Sequence, residues 1–93
     1  MTEGDEYKEI IAEFIQSQMQ IFGPTVAHDI ASRVGGLVID DHGKVSEFNG
    51  SPKEILHNLE QKYVDLTGDV AHRKLLSIMT DHPMIEKGYE NQL

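Results

Sequence analysis

Histidines stand at positions 28, 42, 57, 72 and 82 of a 93-residue chain that has no cysteine. Metal binding is the first chemistry these side chains suggest. A zinc site without thiolates needs imidazoles and carboxylates, commonly with two ligands close in sequence, such as histidines four residues apart on a helix. No two histidines here have that spacing. His28 and His72 converge only if the segments Val26-Ala27-His28 and Val70-Ala71-His72 pack side by side, lining a pocket between helices. Otherwise each occupies the first turn of a helix at the rim of the core. Asp40-Asp41-His42-Gly43 offers a weak surface site for a divalent cation through Asp41 and His42. The same residues are ordinary turn formers, because aspartate satisfies loop N–H groups and glycine accepts positive φ. The expectation is no metal and no cofactor, with His28, His72, Asp41 and His42 as the candidate ligands.

Nucleophilic catalysis has little to build on. No serine lies in a Gly-x-Ser-x-Gly elbow, and Ser51 is committed to capping a helix. Gly35-Gly36 follows a helix and precedes a strand, the reverse of the strand–loop–helix order that aims N–H groups at phosphate. The carboxylates of the first helix lie along a solvated face, with no pair isolated in apolar surroundings where two pKa values would separate. Asn49-Gly50-Ser51 has the form of a glycosylation acceptor but reads as a turn followed by a cap. No catalytic residue is assigned.

Sixteen acidic residues against eight basic ones give a formal net charge of −8. Phosphate recognition requires a basic footprint, and Arg33, Arg73 and six scattered lysines do not supply one. Nucleic acid and anionic membrane surfaces are therefore not expected partners; a protein with a basic surface is. The longest apolar runs, such as Leu37-Val38-Ile39, are far too short to span a bilayer. The start Met1-Thr2-Glu3-Gly4-Asp5-Glu6 is acidic, with no basic segment leading into an apolar one. A cytoplasmic location is expected.

The elements that would position these side chains follow from periodicity. Tyr7, Ile10, Ile11, Phe14, Ile15, Met19 and Phe22 recur at helical spacing, with Glu9, Glu13, Gln16 and Gln20 opposite. Gln18 falls inside the apolar stripe. Gly23-Pro24 ends this helix and Pro24 opens a second one, whose apolar face is Val26, Ala27, Ile30, Ala31 and Val34. After Gly35-Gly36, two β-prone runs from Leu37 to Phe48 flank a short turn and read as a hairpin. Ser51-Pro52-Lys53-Glu54 has the form of a capping box that starts a third helix, with Ile55, Leu56, Leu59, Tyr63 and Leu66 on one face. The stripe loses phase at Thr67-Gly68-Asp69, which predicts a break and a fourth helix from about Asp69 to Thr80. One long helix bent at Gly68 is the alternative. Pro83 is expected to stop the helix.

The fold class expected is α+β, predominantly helical, in the order helix–helix–β-hairpin–helix–helix. Residues 1–6 are expected to fray, 7–80 to form a single small domain, and 81–93 to be a flexible tail. A chain this short has a thin stability margin and no disulfides to widen it, so association is the expected supplement. The functional expectation is a small acidic, non-enzymatic interaction or regulatory module acting as a homodimer. The interface is placed on Tyr7, Ile11, Phe14, Gln18 and Phe22 of the first helix, with Gln18 bonding across the two-fold axis. Two alternatives are a small-ligand or metal-binding domain near His28 and His72, and a small enzyme subunit whose site forms at a subunit interface.

Overall fold

The computed structural model describes residues 3–90. Its elements are α1 (Glu3–Phe22), α2 (Pro24–Ser32), β1 (Leu37–Ile39), β2 (Val45–Phe48), α3 (Pro52–Thr67), α4 (Asp69–Met79) and α5 (Pro83–Glu90). This is the predominantly helical α+β arrangement expected, with one helix more.

α1 is the central element, touching α2, α3, α4, α5 and β2. Its Ile10, Ile11, Phe14 and Ile15 are fully buried. Burying an aliphatic or aromatic side chain of this size contributes ~1.5–3 kcal/mol, so the stripe is the main source of cohesion. Tyr63 of α3 locks the core from the other side. Its ring meets Phe14 edge-on, with centroids 5.3 Å apart, and stacks on Phe22 at 6.2 Å. Its hydroxyl donates to the Ala27 carbonyl of α2 at 2.8 Å.

Two helix pairs are joined by single glycines. Gly23 has φ 90° and ψ 153°, and Gly68 has φ 69° and ψ −139°; residues with a Cβ are strained in this region. Each glycine N–H closes the preceding helix, Gly23 on the Met19 carbonyl and Gly68 on that of Val64. The break at Gly68 is thus a true corner, and α3 and α4 are separate helices. α3 begins as expected: Ser51 Oγ accepts from the Glu54 N–H at 3.5 Å, and Pro52 occupies the first turn.

β1 and β2 pair antiparallel, Leu37 opposite Phe48 and Ile39 opposite Val45, with an irregularity between Val38 and Ile39. The Asp40 carboxylate organises the turn by accepting from the His42 and Lys44 N–H groups at 2.8 and 2.9 Å. The loop lies on α1, where a Cβ at Gly43 would come within 2.9 Å of Ile15.

The chain ends differ from the sequence expectation. Met1 and Thr2 lie outside the described residues, as do 91–93, but α1 already begins at Glu3. Glu3, Asp5 and Glu6 occupy its first turn, where carboxylates favour the positive end of the helix dipole. The expected tail contains α5, because Pro83 both follows α4 and opens a new helix: proline suits a first turn as well as it ends a helix. The Glu86 N–H bonds the His82 carbonyl at 2.9 Å. Ile85 and Tyr89, one turn apart, are buried.

The interface placed on α1 is also corrected. Tyr7, Ile11, Phe14 and Gln18 are at most 3% exposed in the chain's own core, and Phe22 is partly covered against Tyr63. The stripe is wide because helices and hairpin wrap it on several sides. α5, absent from the expectation, covers its Tyr7 end. Gln18 has no surface from which to reach a symmetry mate. Its amide Nε2 donates to Ser17 Oγ at 3.3 Å, Ser17 donates to the Phe14 carbonyl at 2.6 Å, and Gln18 Oε1 has no partner among the described residues.

Candidate functional site

The two Val-Ala-His segments both follow a glycine corner, one residue out of step: Pro24 and Thr25 precede the first in α2, and Asp69 alone precedes the second in α4. Val26 and Val70 are 45% and 53% exposed, and Ala27 and Ala71 are fully buried. Ile21 and Leu66, the apolar residues just before the corners, are likewise 49% and 54% exposed. The corners adjoin: Phe22 stacks on Tyr63, and the Tyr63 hydroxyl bonds the Ala27 carbonyl. Four half-exposed apolar side chains thus stand within three residues of the two glycines.

The histidines of these segments diverge. His28 Nε2 lies 2.9 Å from the Asp40 carbonyl, fastening α2 to the hairpin. His28 and Asp41, with Pro24, Thr25 and Asp29, line an open cleft of about 380 Å³. His72 is not part of that cleft. The sequence-derived candidates are therefore only partly brought together: His28 and Asp41 share a wall, His42 stays exposed at the hairpin tip, and His72 has a different partner. Among the described residues no group of three histidine, aspartate or glutamate side chains could hold a metal ion.

The partner of His72 is Glu60. Its Oε2 lies 2.5 Å from His72 Nδ1, its Oε1 accepts from the Tyr89 hydroxyl at 2.8 Å, and the residue is 2% exposed. A carboxylate only accepts, so Nδ1 carries the proton of this contact. The cluster joins α3, α4 and α5. Burial and then the Glu60 carboxylate push the Tyr89 hydroxyl well above the usual tyrosine range. Burial alone does the same for Tyr63, and burial with Glu3 nearby raises Tyr7. His82 lies 3.2 Å from Glu6, fastening the start of α5 to α1, and Lys53 donates to the Gly88 carbonyl from α3.

Sequence reasoning missed Glu60 and Tyr89. A signal was present: Glu60 lies four residues after Leu56 and three before Tyr63, inside the apolar stripe of α3. It occupies there the kind of position that drew attention to Gln18 on α1. Tyr89 lies one turn after Ile85, a two-residue stripe too short to register against polar surroundings.

Comparison of the chain with known protein families, curated proteins and solved structures finds no match. No helix among the described residues is long and apolar enough to cross a membrane.

Proposed function

We propose that this chain is a non-enzymatic interaction or regulatory module that self-associates through its two glycine corners. The observation that carries this reading is the half-exposure of four apolar side chains, Ile21, Val26, Leu66 and Val70, beside the two glycines Gly23 and Gly68. These residues are exposed where the fold has already filled its core, so removing them from water would favour association. A net charge of −8 makes two copies repel at long range. An apolar patch is the kind of surface that overcomes such repulsion, and the same charge favours a basic protein as a further partner. The interface expected on α1 is thereby moved to the corners.

Light scattering after size exclusion, over a wide concentration range, tests this. A homodimer has twice the chain mass of 10.5 kDa, and Leu66→Asp with Val70→Asp should return it to the monomer mass without unfolding it. A monomer mass at every concentration in the unmodified protein would sink the homodimer.

A further inference from the structure

The geometry points to His72 as a nucleophile that accepts a phosphoryl group at Nε2. Three observations carry this. Glu60 is 2% exposed and holds His72 Nδ1 at 2.5 Å, which fixes the proton on Nδ1 and leaves the lone pair on Nε2. The His72 side chain is 42% exposed, and Nδ1 is the nitrogen turned to Glu60, which leaves Nε2 as the one an incoming group would meet. The carboxylate is itself held by the Tyr89 hydroxyl, so the imidazole is oriented by a group that is in turn oriented.

The step balances with an acyl phosphate as donor. Nε2 of the neutral imidazole attacks phosphorus, the N–P bond forms, and the P–O bond to the acyl group breaks. The carboxylate leaves with the electron pair. No proton moves: Nδ1–H stays on Glu60, and the ring gains a positive charge that the Glu60 carboxylate faces. At metal sites, carboxylates that hold a histidine's other nitrogen fix its tautomer and orientation, and their removal typically costs about 10–100-fold in metal affinity or activity; the same orienting contact is made here by Glu60. Among the described residues no glycine-rich, lysine-bearing cradle for a nucleotide adjoins His72, and the donor class that fits is an acyl phosphate, free or on the carboxylate of another protein.

Three of the other histidines provide internal controls. His28 Nε2 already faces the Asp40 carbonyl, and the His82 side chain is only 12% exposed. His42, at the exposed hairpin tip, is the freely accessible comparison.

The full chain is incubated with acetyl phosphate, and acid-labile phosphoryl groups are mapped by mass spectrometry under neutral conditions. His72 should be labelled about tenfold or more faster than His42, and Glu60→Gln should remove that advantage. Labelling of His72 no faster than that of His42 in the unmodified protein overturns the proposal, whatever the variants do. Tyr89→Phe keeps the His72–Glu60 pair and removes only the hydroxyl that orients the carboxylate, so His72 should still be labelled faster than His42 in it, with part of the advantage lost. Labelling in Glu60→Gln as fast as in the unmodified protein would show that the carboxylate is not what activates His72, and would equally overturn the proposal.

Discussion

The corner between α1 and α2 and the corner between α3 and α4 are made of the same parts, yet their histidines end in different surroundings. In each, a helix closes on a positive-φ glycine and the next carries Val-Ala-His near its start, with valine out and alanine in, after Pro24-Thr25 in α2 and after Asp69 in α4. At the first corner His28 meets an exposed backbone carbonyl of the hairpin; at the second His72 meets a buried carboxylate. Local sequence sets the turn and the facing of its first residues. What the histidine does is set by the element packed beside it, which no local pattern encodes. The likeness is one of parts and not of register, because the two segments stand one residue apart relative to their glycines, about 100° around a helix.

The comparison breaks first at the glycines. Gly23→Ala and Gly68→Ala each place a Cβ in a backbone region that costs about 1–3 kcal/mol. No atoms outside the adjoining chain lie within 4 Å of either added methyl, so the cost is conformational and should be similar at the two corners. Thermal unfolding, in which 1 kcal/mol is worth roughly 4–8 °C for a domain this size, would show comparable drops. A large drop at one corner alone would end the equivalence.

The histidines should separate the corners. His72→Ala leaves Glu60 buried with the Tyr89 hydroxyl as its remaining partner, and stranding a buried acceptor costs about 1–3 kcal/mol. His28→Ala frees a carbonyl that water can reach, and its effect should stay below about 1 kcal/mol. Equal losses in urea unfolding would mean that Glu60 is not the reason the second corner is special.

The elements were legible where periodicity was long and the break chemistry strong. α1 shows its stripe over several turns, the phase slip at Thr67-Gly68-Asp69 marks a real corner, and Ser51-Pro52-Lys53-Glu54 starts α3. α5 was illegible because two apolar residues after a proline read equally well as a terminated chain. The supposed interface failed for a different reason. An amphipathic stripe states that a face is covered, not whether the same chain or another covers it, and Tyr7, Ile11, Phe14 and Gln18 are covered from within. Of the candidate site, the Val-Ala-His segments were visible in the sequence. Glu60 was not, because a lone carboxylate on a helix is ordinarily assigned to solvent.

The helix starts sharpen the contrast between corner and loop. α2 and α4 begin on glycines that make no side-chain cap, whereas α3 begins on Ser51. Ser51→Ala should cost ~0.5–2 kcal/mol, toward the lower end because the capping contact is 3.5 Å long. An unchanged melting curve would mean that Pro52 and the helix dipole suffice to start α3, as α2 and α4 start without a side-chain cap.

The smallest effect belongs to Asp40, whose carbonyl supports His28 and whose carboxylate shapes the hairpin tip. The Lys44 N–H, and with it the His42 N–H, holds the Asp40 carboxyl below the usual aspartate value, against a smaller opposing contribution from burial. A carboxyl whose folded value is lowered stabilises the fold fully above its unfolded value, ~3.9 for aspartate. That contribution is lost as pH falls through the lowered folded value. Acidification below the ordinary carboxylate range should therefore release the His42 and Lys44 N–H groups and loosen the tip against which His28 rests. Amide chemical shifts of His42 and Lys44, followed by NMR alongside the Asp40 carboxyl carbon, should move together along one titration curve. Asp40→Asn should flatten the pH dependence of both amide shifts. If they still titrate in that variant, another group sets the turn, and the link from carboxylate to His28 fails.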